Sequence, residues 1–208
     1  MNTQLSTPLL RATEDERLSL NLLERFAAHR QLRPEAPAII CGEQRLTYAG
    51  LDAAGNRLAH RLQALGVTRD VPVGMCLEPG TQLLVAMLGV LKAGGAWLPL
   101  DPAWPRERLQ HMLGVVAPTV LITSGALRER CPSGAHRLFD LDREQAEIAA
   151  QPATDPQLPI APEQLCYLMF TSGSAGTPKA VMVTHGNLAG LFPPLSAALD
   201  FGPDDVWS

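Results

Sequence analysis

The chain has 208 residues, of which 46% are hydrophobic, 18% charged and 5% aromatic, with a net charge of −4. That is enough chain for one large domain or two small ones around a core of aliphatic side chains and alanine. No basic run argues for a nucleic-acid backbone as partner, the longest apolar run (83–91) is about half a membrane span, and the N-terminus lacks the cationic start and apolar centre of a signal peptide, so the expected setting is cytoplasmic, with no nucleic acid and no membrane.

Residues 1–18 read as a polar lead-in. Leu22, Leu23, Phe26 and Ala27 form a helical stripe over 20–29. "RPEAPAII" turns into a short strand ending at Cys41, "GEQ" is a turn, and "RLTY" is a second strand. Thr47 can cap the following helix, whose inward positions are Leu51, Leu58, Leu62 and Leu65 and which Gly66 stops. A strand follows over 71–77. The helix at 81–93 is apolar on nearly every side, as a helix buried between layers is. Lys92 suits its C-terminal dipole, and Gly94-Gly95 ends it.

"AWLPL" is strand-like and "DPAWP" a turn, with Pro105 placed to open a helix that shows Leu109, Met112, Leu113 and Val116. "TVLITS" and "RLFDL" are strands and "REQAEIAAQ" a short helix. A proline-rich connector spans 152–164 and reads as exposed and extended. The apolar run "LCYLMFTS" then reads as a strand buried on both faces. The alternation of strands and helices predicts an α/β fold with a mostly parallel sheet flanked by helices, whose ligands sit at the carboxyl ends of strands. The four cysteines have no Cys-x-x-Cys pair and no histidine at metal-ligand spacing, so buried free thiols are expected.

One loop stands at such a strand end. In "YLMFTSGSAGTPKAVMVTHGNL" (167–188), an apolar run stops at Thr171, and hydroxyls, glycines, a proline and a lysine follow. Small residues let backbone amides approach a ligand, and glycines can turn successive N–H groups toward one point. Thr171, Ser172 and Ser174 add hydroxyl donors, and Lys179 adds a positive charge. Such a set suits a polyanion, phosphate above all, with about 1.5–3 kcal/mol from each charge-assisted hydrogen bond. Neither Gly-x-x-x-x-Gly-Lys-Ser/Thr nor Gly-x-Gly-x-x-Gly is present. Pro178 keeps the loop from running on as a helix, which gives strand, loop, strand. A Gly/Ser linker or a plain hairpin turn would have the same composition.

The segment resembles the phosphate-binding loop of the adenylate-forming enzymes: acyl-CoA synthetases, luciferases and the adenylation domains of nonribosomal peptide synthetases. "LTYAGLDAAGNRLAHRLQALGV" and "VLKAGGAWLPLDPAWPRERL" resemble two further segments of the peptide-synthetase branch, in the right order. The resemblance covers about residues 20–208. It implies the N-terminal subdomain of that fold, with 19–208 a truncated AMP-binding domain. It also implies a reaction: a carboxylate, an amino acid in this branch, attacks the α-phosphate of ATP with Mg²⁺ assisting. Pyrophosphate leaves, and a phosphopantetheine thiol on a carrier protein takes the acyl group. Thr171, Ser172, Gly173, Ser174, Gly176 and Lys179 would line the phosphate site, while no catalytic residue and no metal ligand is assigned.

Departures from the family pattern are Ala175 in place of a hydroxyl, Ala180 in place of glycine, and Gly50 where a glutamate is usual, with Asp52 two residues on. Pro193-Pro194 falls where the family continues a helix and is expected to break or kink it. The family's Tyr-Gly-Pro-Thr-Glu and Thr-Gly-Asp segments are not in the sequence, nor is its C-terminal domain with a catalytic lysine. The chain is therefore expected to be inactive alone. An acyl-CoA or aryl-acid ligase fragment, and a non-catalytic remnant that binds phosphate or a partner chain, are the other readings. His185 reads as a helix-start or packing residue, Asp101-Pro102 as a structural turn, and Trp97 and Trp104 as packing residues. His29, His60, His111 and His136 read as residues without evident partners.

Overall fold

A computed structural model of the chain describes residues 20–171 and 178–199, so the lead-in lies outside the described residues. Helix α1 (Leu22–Leu32) opens on a capping box: the Asn21 side chain accepts from the Glu24 amide while Glu24 accepts from the Asn21 amide. Strands β1 (Pro37–Cys41) and β2 (Gln44–Thr47) form a small antiparallel hairpin. The Thr47 side chain accepts from the Gly50 amide, so it caps α2 (Tyr48–Ala64) as its position in the sequence predicts. At the other end of α2, Gly66 adopts φ 89°, a left-handed conformation that costs glycine nothing, and the Val67 amide folds back to the Leu62 carbonyl.

The main sheet is built from β3 (Pro72–Cys76), β4 (Ala96–Pro99), β5 (Val120–Thr123), β6 (Arg137–Asp140), β7 (Leu165–Thr171) and β8 (Lys179–Thr184), in the order β6-β5-β3-β4-β7-β8. Every neighbouring pair is parallel except β7–β8, which is antiparallel. Helix α3 (Thr81–Lys92) joins β3 to β4, and α4 (Arg106–Val116) joins β4 to β5. A 3-10 helix (Gly125–Arg130) and α5 (Gln145–Ala149) follow, and α6 (His185–Leu199) closes the described chain.

The period-two alternation of the strands sorts the core into two halves. Val73 and Met75 of β3 point to α2 and α3, where they meet Leu58, Leu62, Val90 and Phe139. Cys76 points the other way, to α4, where Leu98, Met112 and Leu113 pack. Each such side chain taken fully out of water contributes about 1.5–3 kcal/mol. The two central helices approach closely because each carries a glycine opposite the other's leucine. A Cβ on Gly55 would lie 2.9 Å from Leu88, and one on Gly89 would lie 2.9 Å from Leu58.

Three expectations are corrected. Strand β7 is not buried on both faces: Met169 is 45% exposed, as are Val181 (44%) and Met182 (64%) on β8. Cys166 and Leu168 of the same strand are buried, so the run is interior at one face and partly open at the other. Helix α6 runs through Pro193 and Pro194 without a break. The two prolines forfeit ladder bonds to the carbonyls of residues 189 and 190, and Gly190 is exposed, so its carbonyl can take water instead. Cys41 is an exposed thiol, whereas Cys76, Cys131 and Cys166 are buried and free.

Lys92 is in the last turn of α3, as expected, and its side chain is buried. Its Nζ lies 2.9 Å from Asp52 Oδ1 on α2 and also pairs with Asp155 on the connector. Asn56 donates to the Ala153 carbonyl (2.7 Å), and a His60 ring nitrogen lies 2.9 Å from the Thr154 carbonyl oxygen. The connector is irregular and mostly exposed, as read from its prolines, yet these contacts fasten it to the α2–α3 pair.

Candidate functional site

The hydroxyl- and glycine-rich segment joins β7 to β8. Ser172, Gly173, Ser174 and Gly176 lie outside the described residues, while Thr171 and Lys179 flank them. These two are register partners in the antiparallel pair, the last before the loop. Facing residues of an antiparallel pair project to one side of the sheet, so the Thr171 hydroxyl and the Lys179 ammonium leave from the same face. That face is shared by Tyr167, Met169, Val181 and Val183, which alternate with Leu168, Phe170, Ala180 and Met182 on the other. Both Thr171 and Lys179 are exposed, and among the described residues Lys179 has no carboxylate partner. A cation and a hydroxyl thus leave one face at this edge of the sheet, and the cation has no carboxylate partner among the described residues.

Rigid neighbours set the direction in which the loop leaves the sheet. Trp97 of β4 is the register partner of Tyr167 and stacks on it, with ring centroids 4.6 Å apart and planes 16° from parallel. The Leu165 amide donates to Asp70 Oδ1 (2.7 Å), and the buried Gln164 side chain donates to the Gly94 carbonyl (2.9 Å). Because β7 runs parallel to β4, the loop emerges at the carboxyl edge of the parallel strands, where ligands gather in open α/β sheets. Among the described residues no group of three or more His, Cys, Asp or Glu is placed to hold a metal ion.

His185, the first residue of α6, is at the far end of β8, roughly 20 Å from Lys179 at about 3.3 Å per residue. It lines a cleft of about 250 Å³ with Asn21, Glu24, Pro162 and Ala189. Its ring is 1% exposed, and neither nitrogen has a protein partner among the described residues. The cleft is therefore separate from the loop, and the expectation of a packing residue at a helix start fits the position. Asp101 forms the expected turn, accepting from the Ala103 amide through its side chain at 2.8 Å.

Burial pushes the His185 pKa below the ordinary imidazole value, with the Asp70 carboxylate opposing it. Burial lowers His29 and His136 in the same direction. A histidine depressed in the folded state takes up its proton in the unfolded chain first. Stability is then full above the unfolded value near 6.5 and falls as pH drops below it, by at most about 1.4 kcal/mol per pH unit for each group. Urea unfolding at pH 7.5 and 5.5 is expected to show that loss, and a smaller one for His185→Gln. An equal loss in the variant would mean that His185 is not one of the groups responsible.

Comparison with known proteins gives a consistent picture. The family model described as "AMP-binding enzyme" matches residues 26–207. A linear gramicidin synthase of Brevibacillus parabrevis is 40% identical over 182 residues, which is 88% of this chain and 2% of that protein. The phosphinothricin tripeptide synthetase PhsC of Streptomyces viridochromogenes is 46% identical over 160 residues, 76% of this chain and 15% of that protein. Among solved structures, the nonribosomal peptide synthetase FmoA3 in its AMPPNP-bound form superposes with a TM-score of 0.81 at 27% identity, covering 95% of this chain and 21% of that one. The chain thus spans a small part of the length of the proteins it matches.

Proposed function

The chain belongs to the AMP-binding enzyme family, corresponding to the N-terminal part of a peptide-synthetase adenylation domain, and from that premise we propose that it serves the ATP-dependent activation of an amino acid as its aminoacyl-adenylate. In this reading Thr171, Ser172, Gly173, Ser174, Gly176 and Lys179 hold the β- and γ-phosphates of ATP. The amino-acid carboxylate attacks the α-phosphate and pyrophosphate departs. Lys179 offsets the negative charge that builds on the leaving group, and preorganised hydrogen-bond donors do so without reorientation at the moment of reaction. The acyl group then passes to the phosphopantetheine thiol of a carrier-protein domain.

The observation that carries the reading is Lys179 beside Thr171 at the carboxyl edge of the sheet, without a carboxylate partner among the described residues. The nucleotide chemistry is supported by the AMPPNP-bound form of FmoA3, and the amino-acid substrate by its α-methyl-L-serine-AMP-bound form. The carrier protein is supported by the peptide-synthetase relatives.

Isotope exchange from pyrophosphate into ATP, driven by a panel of amino acids, tests the proposal. The complete adenylation domain is expected to exchange with one or a few amino acids, and these 208 residues alone are expected not to. Exchange driven by aryl or fatty acids and not by amino acids would point to an acid–CoA ligase. No exchange from the complete domain would leave a non-catalytic remnant.

A further inference from the structure

The hairpin that carries the loop is joined to the rest of the sheet along a short seam. Strand β7 has six register pairs with β8 but one with β4, Trp97 with Tyr167. Neighbouring strands elsewhere in the parallel sheet share four. A hairpin held at so few ladder positions needs a second point of attachment. One stands at the amino end of β7, about 20 Å from Thr171 at about 3.3 Å per residue.

Gln164, 2% exposed, directly precedes β7. Its carbonyl accepts from the amide of His185, which follows β8, at 2.9 Å, so this one residue ties together the two open ends of the hairpin. Its side chain reaches out of the hairpin to the turn before β4, where it donates to the Gly94 carbonyl at 2.9 Å. Asp70, in the turn before β3, makes the matching link. Its amide donates to the same Gly94 carbonyl at 3.1 Å, and its Oδ1 accepts from the Leu165 amide at 2.7 Å. Asp70 holds φ 63°, a left-handed conformation that few residues other than glycine, asparagine and aspartate adopt.

We propose that Gln164 and Asp70 are positioning residues for the ATP phosphates: they clamp the β7–β8 hairpin to the turns that lead into β3 and β4, and through the hairpin fix where Thr171 and Lys179 stand. This rests on the phosphate-binding reading of the loop. Both residues act from the opposite edge of the sheet, through the strand between. When a clamp bond is lost, a share of the molecules carries the hairpin displaced, and apparent ATP affinity falls with the share that stays in place. Displacement matters because groups that bind a transferring phosphate act through their exact placement.

The test uses the complete adenylation domain. Asp70→Gly keeps the left-handed backbone and removes the acceptor, whereas Asp70→Asn keeps both. Gln164→Leu removes the donor to Gly94, and Lys179→Ala reports on the phosphate site itself. The readouts are isothermal titration with ATP and with adenosine, and amide hydrogen exchange over 165–171 and 179–184. Asp70→Gly and Gln164→Leu are expected to lose about 2- to 13-fold in ATP affinity, the range of one neutral hydrogen bond, with adenosine unchanged. Their hairpin amides are expected to exchange faster, and Asp70→Asn to match the parent. A merely structural role would lower Tm and leave the ratio of ATP to adenosine affinity where it was. If Gln164→Leu does not fold, Asp70→Gly against Asp70→Asn decides alone. Unchanged ATP affinity in Asp70→Gly where Lys179→Ala loses it, an equal loss for adenosine, or Asp70→Asn no better than Asp70→Gly overturns the proposal. Unchanged affinity in Lys179→Ala removes the phosphate reading instead, and hydrogen exchange then decides the clamp: faster hairpin exchange in Asp70→Gly supports it and unaltered exchange overturns it.

Discussion

Lys179→Ala is expected to weaken ATP binding by the complete adenylation domain about 10- to 150-fold, the equivalent of one charge-assisted hydrogen bond of ~1.5–3 kcal/mol. The lysine is exposed and without a carboxylate partner among the described residues, so its removal breaks no ion pair there and leaves stability nearly unchanged. Solvent screening places the effect toward the low end if water reaches the bound phosphates. The loss should follow the phosphates: large for ATP, small for AMP, and absent for adenosine. Thr171→Ala, which removes a neutral donor from the same face, should cost only about 2- to 13-fold. Isothermal titration of the variants with the three ligands reads all of this. Unchanged ATP affinity in Lys179→Ala, with the fold intact, would remove the phosphate-binding role assigned to the loop.

Lys92→Met is expected to destabilise the chain by about 3–5 kcal/mol, because it leaves Asp52 facing the interior without its cation. For a domain of this size that is a fall in Tm of about 6–20 °C. The methionine fills the space of the lysine stem, so the loss reports the uncompensated carboxylate rather than a cavity. Asp155 is half-exposed and adds less. Arg30 keeps an Asp52 contact at 3.3 Å but is itself half-exposed, and it recovers only part of the loss. The double variant Lys92→Met/Asp52→Leu should return most of the stability, since a buried ion pair replaced by apolar side chains is often neutral. Thermal unfolding of the three proteins at two salt concentrations checks this. A Lys92→Met Tm within a degree of the parent would show that the pair contributes nothing.

The elements most legible in the sequence are those whose signals are local. Thr47 caps α2 and Gly66 ends it because each acts on amides or carbonyls within a few residues. The strand–loop–strand reading around Lys179 rests on Pro178 and on apolar runs at either side, and the described ends of β7 and β8 agree with it. Of the candidate site, the residue types were readable; the pairing of Thr171 with Lys179 on one face was not, because register depends on which strand comes to lie beside which. Lys92 shows the same limit. A lysine at the end of an apolar helix is consistent with a dipole partner, and only the approach of α2 and the connector makes it a buried pair.

By itself, the sequence determined the approximate position of most helices and strands, the α/β class, and the family, since all of these follow from patterns carried along the chain. Tertiary structure alone decided that β7 and β8 form an open antiparallel edge and that the irregular connector is fastened to the α2–α3 pair. Each of these joins residues far apart in the chain, through contacts whose free energy exists only once the sheet has brought them together.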